Sequence, residues 1–459
     1  VFELICATTI GVVALGAFWA VTVVRDPLHP AVFLAPLFGY FYGVWPILLN
    51  RHGRLEAILS PSSLEFAALI FLLTIAALYA GLLHGLPRLR NLPSPNLNPF
   101  GDRLTPALSR RLRTLALILG VLSVAAFAIQ LNNAGGLIEA YSRGKGGGHA
   151  ESGYIGDAVL LSFPALLILA LAVRASGRRI RITDIAMALF VASPQLIHGF
   201  LGGRRGPLFI VLATMFFSWF LARGRRPKVS TIIAAVGMIC ITVLVVSSQR
   251  KHVYLGTEHS FDLSRVFETD GLASQDVDTT NSYVAAVASV VASDYYKDYY
   301  WGYRYFVTFF VRPIPKQIWP TKYEDMGATW LDVYGTSQEN VRFSNVVGFA
   351  LPAGASNGSI ADGFGEFSWF VILMFYVVGR AFTAVYTLHR REGGFWSVIL
   401  FMMLALSIYL PTQSFSAWLH RLLFMSVFGY LFWRLTMGPI RGSPPRRAQY
   451  PRPLYPHRS

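Results

Sequence analysis

Residues 367–388 read FSWFVILMFYVVGRAFTAVYTL, twenty-two residues with a single charge, Arg380. A helix of that length spans the roughly 30 Å hydrocarbon core of a bilayer, and few charges interrupt it. Residues 229–247 form a second such run, and the long polar stretch 249–366 lies between the two. Similar runs fill the rest of the chain, which is 54% hydrophobic and only 14% charged over 459 residues. Mean hydropathy is positive, +0.47. A water-soluble enzyme is excluded by this composition, and an all-α polytopic membrane protein is implied, because only helices or closed barrels satisfy the backbone in lipid.

Eleven spans fit the pattern, within a range of ten to thirteen: 3–24, 31–49, 64–86, 114–131, 155–173, 183–201, 208–222, 229–247, 367–388, 395–411 and 415–433. The chain then divides into helices one to eight (1–248), a large outer segment (249–366), helices nine to eleven (367–436) and a basic, Pro-rich tail (437–459). Stretches 283–293 and 303–313 are further candidates for helices lying on the membrane surface or dipping into it. The net charge of +16 would suggest nucleic acid in a soluble protein. Here the basic residues cluster in the loops between spans: Arg88, Arg90, Arg103, Arg110, Arg111 and Arg113 in one, Arg174, Arg178, Arg179 and Arg181 in another. That is the positive-inside pattern; it assigns those loops to the cytoplasm, leaves no call for nucleic acid, and puts the N-terminus and 249–366 outside. Cys6 and Cys240 both lie in apolar runs, so neither a disulfide framework nor a metal cluster is indicated, and no cofactor motif occurs. The first run is followed by Arg25-Asp26-Pro27, where a cleavable signal would have small residues.

Four groups stand out as candidates for chemistry. Gly202-Gly203-Arg204-Arg205-Gly206-Pro207 sits at an outer helix end, so Arg204 and Arg205 oppose the prevailing charge rule. Guanidinium forks there suit a phosphate or diphosphate, although snorkelling to lipid head groups would also place them so. Phe310 to Lys322 contains three prolines within eight residues, which predicts a rigid extended path carrying Arg312, Lys316 and Lys322 past an anionic ligand; a purely structural loop is the alternative. The third, Gly354 to Glu366, is small-residue-rich and ends on Asp362 and Glu366. Four apart, these would share a face if the helix begins that early, as a general base or as acids complementing a helix N-terminus. Last, Arg421 lies about two turns into the eleventh span beside His420, a costly place unless it faces a polar cavity. Arg380, nearer the inner end of its span, is expected to snorkel, and His198 to pack. Arg250 and Arg342 are further cations of the outer segment, which holds 14 of the 24 acids.

The many spans, the Gly-Arg-Arg-Gly at an outward helix end, Pro-Lys-Gln-Ile-Trp-Pro-Thr-Lys (315–322) and the Gly/Ser run ending at Glu366 resemble the Wzy-type polymerases of O-antigen and exopolysaccharide repeat units. The likeness covers about residues 115–435. It implies a GT-C-like glycosyltransferase of the bacterial inner membrane acting on its outer face. Such an enzyme moves a growing glycan from its undecaprenyl diphosphate carrier onto the non-reducing sugar of the next lipid-linked oligosaccharide. A polysaccharide chain-length regulator would be a partner, alongside membrane lipids. Arg204, Arg205, Arg312 and Arg421 would then stabilise the departing diphosphate, with Asp362 or Glu366 deprotonating the acceptor. Arg250, Lys316, Lys322 and Arg342 would help to bind the glycolipid. An O-antigen ligase delivering glycan to a lipid A core shares this plan but typically carries a histidine in its outer loop, and none occurs between His259 and His389. A flippase for the same glycolipid would be expected to carry charges through its central spans.

Overall fold

The computed structural model describes residues 1–86, 106–142, 154–224, 277–314, 317–328, 345–348 and 357–437, with scattered positions between 227 and 242. Among the described residues the regular structure is entirely helical. Among the described residues ten helices are long and apolar enough to cross a membrane: α1 (Phe2–Val24), α2 (Pro30–Arg51), α3 (Pro61–Leu83), α4 (Pro106–Asn133), α5 (Gly156–Ala175), α6 (Ile182–Phe200), α7 (Arg205–Arg223) and, after the less apolar α8 (Val277–Tyr296), α9 (Gly358–Glu392), α10 (Phe395–Thr412) and α11 (Phe415–Met437). The run expected at 229–247 lies largely outside the described residues, where a short apolar helix, Ser230–Ile239, marks its first half.

Helix ends follow local chemistry. Ser60 caps α3, its Oγ accepting from Ser63 N, and Pro61 takes the first helical position, where its missing N–H costs nothing. Asp184 accepts from Arg181 N at the start of α6 and pairs with Arg113 at 2.7 Å and Arg178 at 3.1 Å. Those two inner-loop arginines are thereby tied to the bundle.

The bundle has an inside and a rim. In α5, 83% of the most apolar window is buried, and in α10 78%, whereas α1 buries only 28%. So α5 and α10 form the centre, and α1 turns Leu4, Leu15, Phe18 and Trp19 outward, the arrangement that lipid rather than water permits. Phe217 of α7 stacks on Phe401 of α10 with ring centroids 5.0 Å apart, closing that centre.

The tightest helix contact joins α3 to α9. A Cβ on Gly81 would stand 2.2 Å from the Tyr376 carbonyl oxygen, and one on Gly379 2.2 Å from that of Leu78. Phe66, early in α3, meets Phe364 and Trp369, early in α9, so the two helices run parallel. Thr383 Oγ1 donates to Leu82 O at 2.8 Å, and Arg380 Nη1 to His84 O at 2.9 Å. Arg380 therefore satisfies a carbonyl at the end of α3, a specific use of the charge that snorkelling alone does not describe.

Two features differ from the sequence reading. Helix α9 starts at Gly358, nine residues before the apolar run, with a bend at Ser368 (φ 53°, ψ −138°). Gly358 permits this start, because it holds φ +73° and a Cβ there would lie 2.8 Å from both Pro411 O and Tyr42 Oη. Helix α8, expected to lie on the membrane surface or dip into it, is packed within the bundle along its middle: residues 283–288 and 290 are almost fully buried, and Tyr283 packs edge-on to Phe2 and Phe71.

Gly379→Leu is expected to lower thermal stability in detergent, because overpacking against a neighbouring backbone costs about 1–3 kcal/mol or more. Gly11→Leu, where nothing lies within 4 Å, serves as the control and should leave the melting temperature unchanged. Equal melting curves for the two variants would contradict the parallel α3–α9 contact.

Candidate functional site

The ends of α5, α7, α9, α10 and α11 that carry polar side chains meet on one side of the bundle. The turn between α6 and α7 is built from glycines for steric reasons. Gly203 has φ +54°, and a Cβ on Gly206 would sit 2.7 Å from the ring of Tyr409. Tyr409 therefore presses on the Gly-Arg-Arg-Gly turn. On Tyr409 lies Arg421, its guanidinium 4.7 Å from the ring centroid, while its Nη1 donates to Ala417 O at 2.8 Å. The turn and the charge in α11 thus share one aromatic ring.

Arg204 precedes α7 and is half-buried. Its charge acts on Tyr141 and His198, whose Oη and Nδ1 lie 3.2 Å apart. Burial pushes the Tyr141 hydroxyl up to about 12, and the nearby Arg204 opposes that rise. His198, expected to pack without a partner, has one in Tyr141. Arg205 opens α7, but its side chain lies outside the described residues, as do Arg250, Lys316 and Arg342.

Asp157, at the start of α5, accepts from or donates to His420 across 2.9 Å between Oδ2 and Nε2. The positive charges of both Arg312 and Arg421 act on the same carboxylate. So two of the arginines singled out in the sequence, 109 residues apart by their numbering, stand near enough for their charge to be felt by one acid, whose direct partner is His420. Arg312 is exposed at the end of a wide turn, Val307–Val311.

Lys322 has a different occupation from the one expected of it. It is 3% exposed, and its ammonium donates to Arg312 O at 2.9 Å, Val311 O at 3.4 Å and Ile314 O. A buried ammonium needs such acceptors, and these hold the Pro-rich segment in turns, where the sequence suggested an extended strip. Trp319 Nε1 and Thr321 Oγ1 both donate to Asp325 Oδ2, at 2.5 and 2.8 Å, and these bonds hold the exposed Asp325 carboxyl below its usual range. The segment is a closed knot that presents Arg312 at its edge.

Asp362 and Glu366 share a face of α9, and Arg304 of the outer segment binds both: its Nη2 lies 3.3 Å from Asp362 Oδ1, and its Nε donates to Glu366 Oε1. Glu366 is fully buried and also accepts from Gly302 N at 2.9 Å. Asp362 Oδ2 accepts from Tyr305 Oη at 2.9 Å and from Phe415 N, at the first position of α11, at 3.0 Å. Burial raises the Tyr305 phenol well above its ordinary value, and the Asp362 charge adds to the rise. With so many donors directed at them, these carboxylates fasten the outer segment to α9 and α11. That occupation and the full burial of Glu366 fit a fastening role.

Arg304, Asp157 and Tyr409 did not stand out in the sequence. The available signal was an acid at an apolar helix start and a histidine inside a span, both expensive in lipid unless paired. Comparison with protein-family models, curated proteins and solved structures finds no match to this chain. The fold and site define a multi-pass α-helical membrane protein with a cationic basin at one set of helix ends.

Arg304→Gln is expected to destabilise the protein by about 3–5 kcal/mol, because two buried carboxylates lose their counter-charge. The sign with pH follows: protonating Asp362 and Glu366 removes the uncompensated charge, so the variant gains stability relative to wild type as pH falls. Thermal unfolding of both proteins across an acid pH series measures this, and parallel curves would contradict the clamp.

Proposed function

We propose that this chain is a membrane glycosyltransferase that polymerises oligosaccharide units carried on undecaprenyl diphosphate, working at the outer face of a bacterial inner membrane. The observation that carries the reading is the Arg421 guanidinium on the Tyr409 ring that packs on the Gly-Arg-Arg-Gly turn, with the charges of Arg312 and Arg421 both felt by the Asp157–His420 pair. Guanidinium groups gathered at one set of helix ends favour a phosphate ester whose negative charge grows as the bond to sugar breaks. The donor brings its own leaving group, so positioning and charge stabilisation are what the protein must add. Arg204, two residues before Gly206, adds a further cation on the same turn. Asp362 and Glu366 contribute by fixing the outer segment, and hence Arg312, against the bundle.

Sidedness supports the same reading. Helices α3 and α9 run parallel, and four described spans, α4 to α7, lie between them in sequence. Two parallel spans need an odd number of crossings between them, so we infer a fifth, which the apolar run 229–247 provides, for eleven in all. On that count the arginine cluster lies at the end opposite the Arg-rich loops, which supports an outer-face reading.

An O-antigen ligase remains the second reading, and one observation favours it. His420 stands beside Arg312 and Arg421 through Asp157, so the missing loop histidine no longer separates the two activities. A chain-length regulator belongs to the polymerase reading alone.

Purified protein incubated with lipid-diphosphate-linked repeat units and no other component should yield a ladder of glycan multiples. Arg312→Ala and Arg421→Ala should each slow the ladder by about 10²–10³-fold while the protein stays folded. Single units left unchanged by folded wild-type protein would overturn the reading, and product formed only after adding a lipid A core would establish the ligase.

A further inference from the structure

The carboxylates expected to act as base are engaged elsewhere, which raises the question of where the acceptor proton goes. The Asp157–His420 pair answers it chemically. His420 Nε2 is 2.9 Å from Asp157 Oδ2, and both side chains are largely buried, 11% and 18% exposed. An ionised Asp157 takes the Nε2–H, which fixes the tautomer and leaves the lone pair on Nδ1. The charged groups facing the pair are Arg312 from the outer segment and Arg421 from one residue further along α11, and both act on Asp157. Phe309 and Phe424 flank the imidazole at 6.4 and 6.5 Å between centroids, leaving it an apolar slot that limits rotation.

We propose that His420, oriented by Asp157, is the general base that takes the proton from the acceptor sugar hydroxyl; this rests on the glycosyl-transfer reading above. The acceptor oxygen forms its bond to the anomeric carbon as the carbon–oxygen bond to diphosphate breaks. The electron pair leaves with undecaprenyl diphosphate beside Arg312 and Arg421, and the hydroxyl proton moves to His420 Nδ1. Asp157 then stabilises the imidazolium, and solvent takes the proton before the next cycle. The arginines and the base act on opposite ends of one displacement, which their common approach to Asp157 allows. No oxidant or further reactant is needed.

The test uses full-length protein in detergent, with two readouts: glycan polymerisation across a pH series, and binding of radiolabelled undecaprenyl diphosphate. His420→Gln and Asp157→Asn should each lose about 10²–10⁴-fold in turnover, the range for removing a positioned acid or base, while diphosphate binding stays within a few-fold of wild type. The acid limb of the wild-type rate profile should vanish from the residual activity of His420→Gln. Because either variant alone could unfold, the pair is made, and melting curves identify the folded one. Wild-type turnover in a folded variant overturns the proposal, and so does equal loss of turnover and diphosphate affinity, which marks a structural role. Wild-type protein that transfers no glycan to any acceptor overturns the underlying reading, and this inference with it.

Discussion

The architecture around the start of α9 depends on one ion-paired cluster, Arg304 with Asp362 and Glu366. Glu366 is fully buried and Asp362 nearly so, and a charge in that position is tolerated only with close counter-charge and filled hydrogen-bond capacity. Arg304 supplies the charge from some sixty residues away in sequence, and Gly302 N, Tyr305 Oη and Phe415 N supply the remaining donors. An exposed pair of the same residues would contribute at most about 1 kcal/mol; burial turns it into a fastening whose loss costs several times more. Arg312 follows Arg304 by only two helical turns, so the cluster also determines where that guanidinium stands.

Packing between the spans obeys a different rule. Lipid tails are as apolar as leucine, so helices associate through close fit rather than through escape from water. Glycines provide that fit where backbones nearly touch, at Gly81 and Gly379, and where a ring presses on a turn, at Gly206 beneath Tyr409. The second contact has a functional side. Tyr409 is held from below by Ser359, whose Oγ donates towards Tyr409 O at 3.4 Å and Gln413 O at 3.0 Å, and its ring meets Arg421 above. The last turn of α10 therefore transmits the placement of α9 to the basin.

Much of the membrane plan was legible because span length and charge bias are local in sequence. The apolar runs correspond to ten described helices, and Arg421 stood out because a charge two turns into a span demands a reason. Asp362 and Glu366 were legible as a pair on one helix face, since four-residue spacing is also local. Their partner was not: nothing near Arg304 in sequence sets it apart from a cation such as Lys297, and only the tertiary fold brings it to α9. Lys322 misled for the same reason, because a lysine in a Pro-rich segment reads as a presented cation until its three carbonyl acceptors are seen. The Asp157–His420 pair joins residues 263 positions apart, beyond the reach of any spacing rule.

The two polar clusters differ in charge in a way that bears on their roles. In the clamp, two carboxylates share Arg304, and each oxygen is directed at a donor of the protein itself. Around Asp157 the balance is reversed, with two guanidinium groups acting on one carboxylate that is already engaged by a histidine. Arg312 is exposed, and Lys322 in the segment behind it is spent on backbone carbonyls. A guanidinium left exposed beside a lysine that is already engaged is open to an anionic group from outside the protein. Held rigidly by a clamp on one side and a stacked tyrosine on the other, such an edge need not reorganise as charge develops, the condition under which electrostatic stabilisation is greatest.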